Sequence, residues 1–295
     1  MIRFGRRRRA LLLAPVAVLS AMLLLAGCVN IPKGGGVSNL SIDSSTGGDA
    51  PFLSLPDDPV KGASQEQILD GFIKAQRSSQ AGYGTAREYL SDDFRSTWNP
   101  NAGLLVSSSS IDPTVVGSDE LQLSIAVSAS IDGDGHYAIA DDSRTQQLQF
   151  HFQKDSKGEW RISSAPDGTI LTPSRFDTNF QPYDLFFFDP TFQYLVPDRR
   201  WYARFTQVST RIVRGILAGP PDWLKGVVVT AFPGGTELTG APVIDSSRAT
   251  VDLTSQVSSE SATGKRRMTQ ELTQSLFSLA PTVSITVGGF PLTVS

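Results

Sequence analysis

One thiol occurs in the whole 295-residue chain, Cys28, inside LLLAGCVNIPKGGG. A lone cysteine cannot close an internal disulfide, so the question is what a single sulfur nucleophile does there. Other residue types that carry chemistry are thinly spread. The chain has two histidines, too few and too isolated for an H-E-x-x-H zinc helix or a dedicated transition-metal site. No serine sits in a G-x-S-x-G elbow, and no lysine has a serine three places before it. DGDGH, from Asp132, resembles the start of a calcium loop, but Ser143 stands where the twelfth-position Glu would be, so it reads as a hairpin turn. The carboxylate doublets Asp57-Asp58, Asp92-Asp93 and Asp141-Asp142 have the chemistry for acid–base work. Adjacent residues diverge on a helix or strand, so they read as solvated surface. His151 alternates with Phe150 and Phe152 and falls on the polar face of its strand. No catalytic residue, metal ligand or cofactor is assigned, and the chain is not expected to be an enzyme. Candidate partner contacts are Arg199, Arg200 and Trp201, with Phe187 from the run Phe186–Phe188. That run breaks strict alternation, so one of its rings must leave the helix-covered face.

The context of Cys28 explains it. Residues 1–9 carry Arg3, Arg6, Arg7, Arg8 and Arg9 and no acid, and residues 10–27 are apolar or small apart from Pro15 and Ser20. A basic head, an apolar core and a small-residue end make an export signal. A membrane-spanning helix needs ~20 apolar residues, and this run is short for that and holds a proline. Leu25, Ala26 and Gly27 before Cys28 resemble the lipobox of bacterial lipoproteins. The resemblance implies that Cys28 receives a diacylglycerol (with palmitate among its chains) and becomes the first residue after cleavage. The arginines do not complete a twin-arginine motif, which favours general secretion. Each buried methylene contributes ~0.8 kcal/mol, and two chains hold stably where one does not. The protein is therefore expected at the outer face of the cell membrane. Residues 28–53 are rich in Gly and Ser and read as a flexible tether.

The elements beyond the tether fall into two blocks. The chain has 26 Lys and Arg against 29 Asp and Glu; without the five signal arginines the balance is −8, which disfavours a nucleic-acid partner. The first block is assigned to residues 54–176. Ser64 and Gln67 have capping-box spacing before Ile68, Leu69, Phe72 and Ile73 on one helix face. Ala86, Tyr89, Leu90 and Phe94 continue at helical spacing. The period then changes to two: Leu121, Leu123, Ile125, Val127 and Ala129 mark one strand, Leu148, Phe150 and Phe152 another, Trp160 and Ile162 a third. Helices followed by an antiparallel meander is an α+β layout. It resembles the NTF2-like cone, in which helices pack across a curved sheet.

The second block is assigned to residues 181–295, with a Pro-bearing junction near 172–182. It reads β-β-α-β-β-α-β. Val208, Ile212, Val213, Ile216 and Leu217 share one helix face, Met268, Leu272, Leu276 and Leu279 another, and VVVTAFPGGTEL reads as a strand and turn. YLVPDRR, ILAGPPDWL, AFPGGTEL, ATVDLT and TQSLFSLAPTVSITVGGFPL, in that order, resemble the GerMN domain. With the lipobox, tether and first block they resemble the LpqB family of actinobacterial lipoproteins over nearly the whole chain. Family members usually continue into a C-terminal β-propeller-like domain, which these 295 residues lack, so roles that need it are not carried over. The resemblance implies an accessory of a two-component system of the MtrA-MtrB type, touching the extracellular part of the sensor kinase and bearing on cell-envelope homeostasis. Two other classes stand beside it: a cell-wall binding module, and an enzyme using an NTF2-like pocket. A deep pocket lined by carboxylates would favour the last.

Overall fold

The computed structural model describes residues 56–110, 112–204 and 207–293; the side chains at 141–144 also lie outside the described residues. The first element is α1 (Gln65–Ala75), started by the capping box: Gln67 N donates to Ser64 Oγ (3.3 Å) and Ser64 N to Gln67 Oε1 (2.9 Å). Its buried stripe is Ile68, Leu69, Phe72 and Ile73. Two short helices follow, α2 (Gly84–Glu88) and α3 (Asp92–Thr97). Six strands come next: β1 (Gly103–Ser107), β2 (Pro113–Val115), β3 (Glu120–Asp132), β4 (Tyr137–Lys154), β5 (Trp160–Ser164) and β6 (Thr169–Leu171). They form a sheet in the order β5-β4-β3-β1-β6, with β2 beside β3; β6 runs parallel to β1, and the other pairs are antiparallel.

One face of this sheet packs Leu121, Leu123, Ile125, Phe150 and Ile162 against α1, around the buried Trp98. Trp98 meets Phe72 and Tyr83 edge-on, at 5.1 and 6.1 Å. Against β1 the register of β3 shifts by one residue between Val127 and Ala129. A bulge of one residue turns all later side chains to the opposite face. Ala129, grouped by its spacing with Leu121–Val127, and the following Ile131 therefore leave the helix-facing side. They join Leu104, Val106, Leu171, Phe176, Phe180 and Ala203 in a second apolar cluster behind the sheet.

The junction expected near 172–182 is not an open linker. Pro173 opens α4 (Pro173–Asn179), which runs directly into β7 (Phe180–Phe188), and its Phe176 is buried in that second cluster. β7 pairs with β8 (Leu195–Ala203) in an antiparallel ribbon. After α5 (Val208–Ala218) the chain reaches β9 (Val243–Asp245), β10 (Arg248–Leu253), α6 (Ala262–Leu276), β11 (Thr282–Val287) and β12 (Phe290–Pro291). The last four strands form a sheet in the order β12-β11-β10-β9, with β10 and β11 parallel. VVVTAFPGGTEL is not a regular strand. It makes isolated bridges, Val229 to Phe188 and Leu238 to Leu253, because Pro233 has no N–H to give and Gly235 takes a left-handed turn. Leu185 and Phe187 from β7, Ile212, Val213 and Ile216 from α5, Met268, Leu272 and Leu276 from α6, and Ala249, Val251 and Leu253 from β10 make a single core. The architecture is α+β in two modules, each with its own core, joined by the apolar cluster around Phe176.

Candidate functional site at the seam between the two modules

The β3–β4 hairpin, residues 132–136, does more than turn the chain. Asp132 Oδ1 accepts from Asp134 N (3.0 Å) and His136 N (2.9 Å), and its Oδ2 meets His136 Nδ1 at 3.0 Å. Burial pushes the Asp132 carboxyl up, but those bonds and the nearby imidazole outweigh it, holding the group below its ordinary value. A hairpin fixed in this way presents three successive carbonyls, and the second module takes all three. Arg211 Nη2 donates to Gly133 O (2.9 Å) and Arg200 Nη1 to Asp134 O (2.9 Å). The Tyr202 hydroxyl also donates to Asp134 O (3.2 Å), and Trp201 N to Gly135 O (2.7 Å). Gly135 has φ +96, and a Cβ there would stand 2.6 Å from Tyr202 Cε1, so a side chain fits neither the backbone nor the space.

Below the hairpin lies an ion pair. Arg200 Nη2 is 2.6 Å from Asp198 Oδ2, with the two side chains 4% and 1% exposed. His136 Nε2 is 3.8 Å from the other oxygen of Asp198, so the ring stands between the Asp132 and Asp198 carboxylates. Trp201 packs on Phe176 at 5.0 Å and Tyr137 at 5.7 Å. Charged groups with this little solvent are held by partners on both modules, and removing one would strand the other.

The four expected partner contacts therefore separate. Phe187 is 0% exposed, in the core of the second module; the alternation of β7 sends Leu185 and Phe187 inward together, and no partner can reach that ring. Arg200 and Trp201 are spent on the seam. Arg199 remains at the surface, 66% exposed, in a two-bond pair with Asp184 (2.8 and 3.1 Å). The basic run Lys265–Arg267 is engaged locally, Arg267 lying 4.1 Å over the Phe192 ring and Lys265 Nζ donating to Thr293 O. His151, Asp57, Asp58, Asp92 and Asp93 are exposed, and the side chains of Asp141 and Asp142 lie outside the described residues. Leu25, Ala26, Gly27 and Cys28 lie outside them too.

Beside the hairpin opens a cleft of about 680 Å³. One wall is the polar face of α5, with Thr210, Arg211 and Arg214; the other is formed by Ser79–Gly82 and Asn101 of the first module. The Arg211 guanidinium lies 4.5 Å over the Tyr202 ring, and burial pushes its pKa down. Sequence reasoning missed this wall, although Thr210, Arg211 and Arg214 fall on the side of the helix opposite its apolar stripe. A separate cavity of about 180 Å³ lies at the interior of the first module, lined mostly by apolar residues with Gln76 and Asp167. Gln76 Oε1 already accepts from Ile170 N (2.7 Å), and Asp167 Oδ1 from Asn99 N (2.8 Å). Asp167 is the one carboxylate in its lining. Among the described residues, no group of three or more His, Cys, Asp or Glu is placed to hold a metal, and no helix is long and apolar enough to cross a membrane.

Fold and seam define an α+β protein of two latched modules. Residues 58–177 match the family described as lipoprotein LpqB, N-terminal domain, and residues 184–293 the family described as sporulation and spore germination. Both modules of the chain are thus similar to domains of known families, the first of them to the N-terminal domain of the LpqB lipoproteins. The chain is similar to lipoprotein LpqB of Cutibacterium acnes (28% identical over 277 residues, 92% of this chain and 46% of that protein). Lipoprotein LpqB of Thermobifida fusca is 29% identical over 77% of this chain and 38% of its own length. For Streptomyces coelicolor the figures are 28%, 95% and 49%. The chain thus spans about half the length of these relatives, or less. Among solved structures it resembles the first GerMN domain of the sporulation protein GerM from Bacillus subtilis (16% identity, TM-score 0.32, 38% of this chain and 86% of that one).

Proposed function

We propose that the chain is an extracytoplasmic lipoprotein, anchored through Cys28, that acts as an accessory to a sensor kinase of the MtrA-MtrB type in cell-envelope homeostasis. In this reading residues 1–27 are the signal peptide, 28–53 a tether, 54–176 an NTF2-like module and 181–295 a GerMN module. The reading rests on the likeness of both modules, and of most of the chain, to LpqB lipoproteins. It is supported by the seam, in which Arg200, Trp201, Tyr202 and Arg211 hold residues 132–136 and so let the two modules present one surface.

In this reading the contact surface is not built on Phe187, which is buried, and Arg199 is kept as a candidate. Trp223 is 67% exposed and Val227 61%, and they flank the buried Leu224 in the segment after α5. Tryptophan is among the residues enriched at interface hot spots. The test is binding of the whole chain, in detergent, to an immobilised sensor-kinase extracellular domain. Trp223→Ala should weaken it at least tenfold, with thermal stability unchanged. Retention of the chain on purified cell wall and not on the kinase domain would replace this reading with the cell-wall one.

A further inference from the structure

The cleft beside the seam has chemistry that neither a docking surface nor the latch uses. Arg211 spends one of its five N–H donors on Gly133 O. Arg214, on the same wall, makes no hydrogen bond or ion pair among the described residues. The Thr210 hydroxyl is the more telling group. Its residue is 5% exposed and lines the cleft, yet Oγ1 has no hydrogen-bond partner. A buried hydroxyl left unpaired costs ~1–3 kcal/mol, and such a group calls for a missing partner.

The opposite sign is present as well. Asp134 lines the same space, its charge acts on Arg211, and its backbone carbonyl is occupied by Arg200 and Tyr202. A bare inorganic anion would be repelled by that carboxylate and would leave most of the volume empty. An acid carrying several hydroxyls satisfies both sets: its charge goes to the arginines, and its O–H groups donate to Asp134. The roughly 680 Å³ is the size of a site for a ligand of one to a few rings.

We propose that this cleft binds an anionic saccharide, its acid group on Arg211 and Arg214 and its hydroxyls on Thr210 and Asp134. The site is separate from the kinase contact and stands whether or not that reading holds. The acid group is a carboxylate or a phosphate, and guanidinium accepts either.

The test is calorimetric titration of the whole chain in detergent with three probes: digalacturonate, maltose 1-phosphate and neutral maltose. One of the two acids should bind at least tenfold more tightly than maltose, and the one that does identifies the source. Arg214→Gln, which touches no partner and leaves the fold alone, should cut that affinity at least tenfold with an unchanged melting temperature. Thr210→Val, close to isosteric, should weaken it severalfold. Failure of both acids to bind overturns the site. So does binding of maltose as tight as that of the acids, or acid binding indifferent to both substitutions.

Discussion

Glu271 offers a perturbation whose size follows from the structure. It sits on α6 with no exposed surface, among the core of the second module. Its Oε2 accepts from Ala231 N at 2.6 Å, and Oε1 has no partner. Burial is the main cause that pushes its carboxyl from 4.5 up to about 8; the bonds from Ala231 and Thr230 oppose it and lose. The native state thus binds a proton that the unfolded chain has released between those two values. Where the native state holds more protons, stability falls as pH rises. The contribution of Glu271 is fully present below about 4.5, declines at up to ~1.4 kcal/mol per pH unit, and levels off above about 8. From pH 5 to pH 7 this amounts to roughly 2.5 kcal/mol. Glu271→Gln keeps the acceptor for Ala231 and cannot ionise. Urea unfolding by circular dichroism and tryptophan fluorescence at pH 5, 6 and 7 reads both proteins. The variant should match wild type within ~1 kcal/mol at pH 5 and exceed it by ~2–3 kcal/mol at pH 7. Parallel pH profiles would refute the claim that Glu271 is held neutral.

Phe187→Ala should cost ~3–5 kcal/mol in the same unfolding assay, as other buried Phe truncations do, because its ring fills the core of the second module. Asp198→Ala, which leaves Arg200 buried without its ion-pair partner, should cost ~3–5 kcal/mol. Gly135→Ala should loosen the seam without unfolding either core, seen as new protease cutting between residues 172 and 182 at unchanged helix content by circular dichroism. Cys28→Ser should move the chain from the membrane to the soluble fraction on cell fractionation, since no acyl chain would remain.

Much of the fold was legible because local rules decided it. The Ser64–Gln67 box, the stripe of α1 and the Met268, Leu272 and Leu276 face of α6 need no distant contact to be read. The bulge in β3 was not legible: Val127 and Ala129 have the same spacing on either face, and only pairing with β1 and β4 shows the shift. The candidate site was half legible. Arg199–Trp201 were singled out, but which of them faces solvent depends on a hairpin more than sixty residues away, through Trp201 N to Gly135 O. DGDGH read as a bare turn for the same reason, since the value of its carbonyls lies in what docks on them. Phe187 was misplaced because a run of three aromatics shows that one must leave the core without showing which.

A lipid-anchored body that meets a sensor kinase at the membrane is the central claim. The most direct measurement places a photoreactive group at Trp223 in the membrane-anchored protein, irradiates native cells and identifies the adducts by mass spectrometry. Crosslinks to the extracellular domain of a sensor kinase are expected, lost when Cys28→Ser releases the chain from the membrane. Crosslinks confined to cell-wall material, or kinase crosslinks that persist undiminished in Cys28→Ser, would contradict it.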